Sequence, residues 1–309
     1  MNSEALDLDG LPDPAIAADA VSAPRAAPTR LGDFYELTKP RMNFLVVITT
    51  MVGFCMASRT GMNWVRLIHT LLGTFLTASS AAVLNQLIER RYDILMPRTR
   101  NRPLPAKRIA TLEAVVFGVA LGIVGISYLA LRVNGLTALL GAATLGSYLG
   151  IYTPMKRYST FNTVVGAVPG AIPPMMGFAA ATGAISPQAL ALFGILFFWQ
   201  MPHFLAIAVL YKRDYQLGGF KMLPCVDEAL TARQMVVYSL GLLPVSLLPV
   251  PLGMAGAAYF TAAVLLGLAF LSFAVSCAAT RDRSDARKLF FASIIYLPVL
   301  LAVMMIDKI

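Results

Sequence analysis

The stretch WVRLIHTLLGTFLTASSAAVLNQLIERRYDILMPRTRNRPLP, residues 64–105, changes character at its midpoint. Its first 21 residues carry one fixed charge, Arg66, and are long enough for the roughly 20-residue helix that crosses a bilayer. Its last 21 hold Asn85, two carboxylates (Glu89 and Asp93) and five arginines. A lipid-compatible helix therefore ends in a dense knot of charge. The rest of the chain repeats the first half of that pattern. Apolar blocks at about 42–58, 111–131, 135–152, 162–182, 187–210, 234–252, 256–277 and 288–306 bring the expected spans to nine, joined by short charged connectors. The apolar runs are unbroken rather than alternating every second residue, which excludes a lipid-facing β-barrel. Only 13% of the 309 residues are charged, where a soluble domain carries about 25%. The fold class expected is an all-α polytopic membrane protein.

The basic residues are sorted by side. Of the 25 Lys and Arg, 21 fall before the first block and in the second, fourth, sixth and eighth connectors. Only Arg59, Arg66, Arg132 and Lys308 fall on the other side. The positive-inside rule then places the N-terminus in the cytoplasm and the C-terminus outside. It also accounts for the net charge of +9 without a nucleic-acid partner. Cys55, Cys225 and Cys277 have neither metal-ligand nor disulfide spacing. Residues 1–30 begin with an acidic, Ala- and Pro-rich run that lacks the basic start and apolar core of a secretory signal. They read as a disordered cytoplasmic tail ahead of a single transmembrane domain, 31–309.

Asn85, Glu89 and Asp93 stand at i, i+4 and i+8, a spacing that drifts only about 40° per step on a helix. They form one oxygen-bearing stripe at the inner end of the second span, and Pro97 stops the helix soon after. Mg²⁺ takes oxygen ligands, commonly one or two carboxylates plus substrate phosphates. Arg98, Arg100 and Arg102 beside it suit the remaining phosphate oxygens. The stripe and arginines together describe a Mg²⁺–diphosphate site at a membrane surface. The plain alternative is a solvated helix end with topology-setting arginines, but carboxylates at a membrane helix end are costly without a partner.

Three further clusters lie on or near that face. YKRDYQLGGFKMLPCVDE, 211–228, sets Asp214 among Lys212, Arg213 and Lys221, and Gly218-Gly219 breaks its helix. It lies four spans after the first cluster, which suits matching positions in two half-repeats. YTPMKRYSTFN, 152–162, offers Lys156 and Arg157, as phosphate ligands or as topology anchors. His203, in WQMPHFLAI, lies within the sixth span; such a residue serves either in a helix–helix hydrogen bond or as a ligand.

From Leu37 to the last span, the sequence resembles the UbiA superfamily of intramembrane prenyltransferases, and within it the branch that prenylates haem. The superfamily pattern N-x-x-x-D-x-x-x-D, followed in that branch by M-x-R-T-x-x-R-P, is matched by Asn85, Asp93, Met96, Arg98, Thr99, Arg102 and Pro103. Y-T-x-x-K-R matches at Tyr152, Thr153, Lys156 and Arg157, as do the run NTVVGAVPGAIPPMMGFAA, the triplet Pro202-His203-Phe204, and D-Y-x-x-G-G-x-x-M-L-P from Asp214. Two positions depart from the superfamily: Glu89 replaces the middle Asp, and position 218 is Gly where many members carry a second Asp. The resemblance implies nine helices around a central cavity that opens to the cytoplasm, in a cell inner membrane. It implies that Mg²⁺ is held by Asn85, Glu89, Asp93 and Asp214, the three carboxylates being catalytic. Arg98, Arg102, Lys156 and Arg157 would bind the diphosphate, and His203 would contact haem. The implied reaction transfers the farnesyl group of farnesyl diphosphate to a vinyl group of haem B, giving haem O. Haem A synthase and terminal oxidase assembly are the implied partners. A member prenylating an aromatic ring, or a transporter of an anionic lipid or metabolite, are the competing readings.

Overall fold

A computed structural model describes residues 29–58 and 61–309, and among these nine helices are long and apolar enough to cross a membrane. A short helix, α1 (Arg30–Leu37), precedes the spans α2 (Pro40–Ala57), α3 (Trp64–Asp93), α4 (Thr111–Arg132) and α5 (Gly135–Met155). The fifth and sixth spans are α6 (Asn162–Thr182) and α7 (Pro187–Leu210). Two short helices, α8 (Lys212–Leu217) and α9 (Leu223–Val226), lead to the last three spans, α10 (Glu228–Leu247), α11 (Ala257–Thr280) and α12 (Arg283–Ile306). Residues 1–28 of the expected tail, and Arg59 among the outer basic residues, lie outside the described residues. Thr29 and Arg30 belong to α1: the Thr29 hydroxyl accepts from the Gly32 N–H at 3.1 Å and caps the helix.

Most span boundaries fall within a few residues of the apolar blocks, and the two larger shifts have local causes. α3 runs nine residues past its apolar block, because QLIERRYD contains no helix breaker. It stops at Asp93, where Pro97 supplies no N–H for the Asp93 carbonyl and would clash with it. The Thr99 hydroxyl takes that carbonyl instead, at 2.9 Å. The seventh span lies at 228–247 rather than 234–252. Asp227 caps it early by accepting from the Leu230 N–H at 2.8 Å, and Pro249 and Pro251 end it.

Most spans pack on their chain neighbours, but α2 lies chiefly on α6, and α7 also lies on α12. The α2–α6 contact is made by backbone. A Cβ on Gly53 would stand 1.9 Å from the Pro174 carbonyl oxygen, and one on Gly177 would stand 1.9 Å from that of Thr50. Small residues permit such approach between helices in lipid, where no hydrophobic force drives association. α6 is the most buried span despite Pro169, Pro173 and Pro174 in its interior. Side chains of neighbouring segments also bond its carbonyls, Gln200 Nε2 donating to that of Ala167 at 2.7 Å and Asn134 Nδ2 to that of Ala179 at 3.0 Å.

Gly177→Ala should therefore lower stability by about 3 kcal/mol or more, since neither backbone can move away without unpacking a span. Gly146→Ala, where an added Cβ meets nothing within 4 Å, should be neutral or slightly stabilising. Thermal midpoints of the detergent-solubilised variants check both.

Candidate active site

The inner end of α3 carries two carboxylates at the helix terminus where the macrodipole is already negative. Both are buried: Glu89 is 7% exposed and Asp93 only 1%, with Asn85 at 1%. Such a terminus needs cations, and three other segments supply them. Lys156, just beyond α5, donates from Nζ to Glu89 Oε1 at 2.7 Å. Arg102, in the loop after α3, donates to Asp93 Oδ2 at 2.9 Å. Lys39, ahead of α2, reaches Asn85 Oδ1 at 3.4 Å. The Asn85 amide in turn donates to the Thr153 hydroxyl at 3.2 Å. One atom is left over: Asp93 Oδ1 is buried and has no hydrogen-bond partner.

Charge patterning assigns Lys39 to topology alone, yet its side chain joins the site. Its backbone lies in the left-handed region, φ 47°, a conformation that costs a non-glycine residue about 1–3 kcal/mol. Burial, together with the Arg102 and Lys156 cations, lowers its pKa to about 7 against the pull of Glu89 and Asp93. Lys156 goes the other way: burial opposes its charge, but Glu89, Tyr152 and Tyr148 more than offset that, and its pKa stands well above the ordinary value. The Lys156 ammonium also lies 4.5 Å from the centre of the Tyr152 ring. Tyr148 and Tyr152 sit on a π-helical turn, Tyr148–Tyr152, a widening often found at functional sites.

The other expected residues are distributed around this centre. Asp214, on α8, faces Arg98 at 3.8 Å, with the Arg98 guanidinium 4.7 Å above the Tyr211 ring. It does not join Glu89 and Asp93: among the described residues, no three His, Cys, Asp or Glu side chains come together as a metal shell. Arg157 stacks on Tyr92 at 4.4 Å and bonds to its hydroxyl, near the surface. His203 stands apart between α7 and α12. Its Nδ1 meets the Ser293 hydroxyl at 2.7 Å, and its ring stacks between Trp199 and Phe290 at 5.0 and 5.2 Å.

The donor set suits Mg²⁺ in one specific way. Two carboxylates and an amide on one helix, with a carboxylate oxygen unpartnered, match a cation that takes few protein ligands and shares substrate phosphates. Gly218 also finds an explanation. Met96, Phe220 and Met222 form a buried apolar cluster over the α8–α9 connection. A Cβ at position 218 would meet Met96 Sδ and the Phe220 ring at 3.0 Å. The space that a second aspartate would need is filled from the α3 loop.

The chain belongs to the UbiA prenyltransferase family, whose model matches residues 46–295. Its relatives narrow the comparison further. It is 47% identical to the protoheme IX farnesyltransferase of Solibacter usitatus over 287 residues, covering 89% of this chain and 98% of that protein. It is 45% identical to that of Gloeobacter violaceus, covering 93% and 95%. Solved structures share the fold at low identity. A digeranylgeranylglyceryl phosphate synthase superposes with a TM-score of 0.78 at 15% identity, covering 90% of this chain and 98% of that one. A UbiA homologue from Archaeoglobus fulgidus bound to GPP and Mg²⁺ gives 0.63 at 15%, covering 88% and 99%.

Met96 and Gly218 should behave as a matched pair. Gly218→Val should lower the thermal midpoint in the native background and do so less with Met96→Ala, a coupling of about 1 kcal/mol. Additive effects in the double-mutant cycle would show that the two do not compete for one space.

Proposed function

We infer that this protein is a haem-prenylating transferase, moving the farnesyl group of farnesyl diphosphate to a vinyl group of protohaem IX and releasing diphosphate. The observation that carries the site assignment is the inner end of α3: buried Glu89 and Asp93, an unpartnered Asp93 oxygen, and Lys39, Lys156 and Arg102 around them. The relatives named for this reaction, at 47% and 45% identity over nearly their full lengths, supply the acceptor.

Asn85, Glu89 and Asp93 would hold Mg²⁺, with Asp214 placed to join them only if it leaves Arg98. Bound there, Mg²⁺ would neutralise charge on the diphosphate oxygens. The protein's own cations do the rest. Lys156 and Arg102 pair with the carboxylates in this structure and turn toward the diphosphate as it binds, so their charges are already in place when the C1–O bond breaks. Donors fixed where negative charge develops lower the barrier without reorganising at that moment. Arg98 and Arg157, from the two flanking loops, add to the same cation field. The farnesyl cation adds at the vinyl terminus of haem. Water then supplies the hydroxyl and loses a proton, giving the hydroxyethylfarnesyl group. Apolar walls keep water from the allylic cation until it adds. His203, its Nδ1 engaged by Ser293 and its ring held between two aromatic residues, presents Nε2 for contact with haem.

The protein is a multi-pass membrane protein, and the charge split orients it with the site at the cytoplasmic face of a cell inner membrane. A reporter fused after Ile309 should be external, and one inserted near Lys107 cytoplasmic. Both reporters on one side would remove that orientation.

The chemistry is tested with farnesyl diphosphate, haem B and Mg²⁺, reading diphosphate released and haem O formed per inserted protein. Asp93→Asn should reduce turnover by about 10² to 10⁴. Glu89→Asp should retain substantial activity and Glu89→Gln should not. Near-normal yield from Asp93→Asn at low Mg²⁺ would sink the metal-site assignment.

A further inference from the structure

We propose that Asn162 is a positioning residue for the diphosphate site, acting through Lys156. The proposal rests on the transferase reading above and on a closed set of hydrogen bonds that sequence spacing does not reveal. Asn162 opens α6 and is fully buried. Both hydrogens of its amide are used: Nδ2 donates to the Ser159 carbonyl at 2.6 Å and to the Lys221 carbonyl at 2.9 Å. Lys221 returns the link, its N–H donating to the Lys156 carbonyl at 2.7 Å. Asn162 therefore ties the loop that carries Lys156 to the loop that follows α8.

That tie fixes the cation from two directions. It holds the Lys156 backbone, whose ammonium bonds to Glu89. It also holds Phe220, next to Lys221, whose ring lies 6.0 Å from the Lys156 ammonium and packs against Tyr92 of α3 at 5.8 Å. Two connectors and the last turn of α3 meet at this point, and Asn162 is the buried side chain that bridges the two connectors. Its acceptors are both carbonyl oxygens, so a carboxylate of nearly the same shape would face them with repulsion instead of a bond. Thr163 donates its hydroxyl to Asn162 Oδ1 at 3.3 Å, which sets the amide's orientation.

The test compares Asn162→Ala and the near-isosteric Asn162→Asp with wild type in purified, lipid-reconstituted protein. Direct binding of inorganic diphosphate with Mg²⁺ is measured first, because it needs neither haem nor turnover. Both variants should weaken that binding about tenfold, the worth of one or two hydrogen bonds. Their KM for farnesyl diphosphate should rise in parallel, while KM for haem stays unchanged. In the Lys156→Gln background, adding Asn162→Ala should weaken diphosphate binding no further, because both changes act through one ammonium. Fully additive losses, or equal rises in both KM values, would overturn the proposal. So would unchanged diphosphate binding in the folded fraction of either variant. A wild type that binds diphosphate but forms no haem O would refute the transferase reading and leave this positioning role standing.

Discussion

Two carboxylates buried at the C-terminal end of a membrane helix are the constraint around which this protein is arranged. The α3 terminus already carries partial negative charge, and Glu89 and Asp93 add to it where little water can screen them. Alone, that arrangement would be strongly unfavourable. It is tolerated because Lys39, Lys156 and Arg102 converge on it from the start of α2, the end of α5 and the loop after α3. The positions of three segments thus follow from one electrostatic requirement. On the proposed function, a divalent cation would replace the lysine and arginine partners at the carboxylates, and a diphosphate would then take those partners over.

The second level of organisation is the joining of the connectors. Arg98 reaches Asp214 on α8, Met96 fills the space above Gly218, and Lys221 is bonded to Lys156. An ion pair and an apolar contact join the loop after α3 to α8 and its end, and a backbone hydrogen bond joins the loop after α8 to the one after α5. A site made of one loop would shift whenever that loop moved. This one is held by several segments, so the backbone that carries Lys156 is tied to its neighbours.

The sequence made the membrane architecture legible because lipid leaves little freedom: apolar length, proline and basic asymmetry are local signals. The stripe of Asn85, Glu89 and Asp93 was legible for the same reason, since all three lie on one helix at a period the chain displays. Lys39 was not, because its inward reach depends on a left-handed backbone and on how α2 registers against α3. Asn162 was hidden differently: its bonds go to carbonyls, which have no sequence signature. Gly218 read as a missing carboxylate, and its reason lay 122 positions away in Met96. Asp214 was joined to Glu89 and Asp93 by the family resemblance, and its pairing with Arg98 had no signal in the sequence. What escaped the sequence was tertiary register.

Rigidity and chemistry are separated along the membrane normal. At the end of the spans away from Glu89 and Asp93, α2 and α6 meet backbone to backbone at Gly53 and Gly177. There too the Asp307 carboxylate accepts from the Tyr259 N–H at 2.7 Å, while the Lys308 ammonium bonds to the Cys55 carbonyl at 2.6 Å. These contacts tie the first, fifth, eighth and ninth spans to one another. The end that carries Glu89 and Asp93 is held instead by ion pairs from long side chains. On the proposed function, close packing at one end would let the other trade ion pairs for ligands without the helices separating. In a membrane, where helix association has no hydrophobic drive, that division is a physical condition for a site built from exchangeable charges.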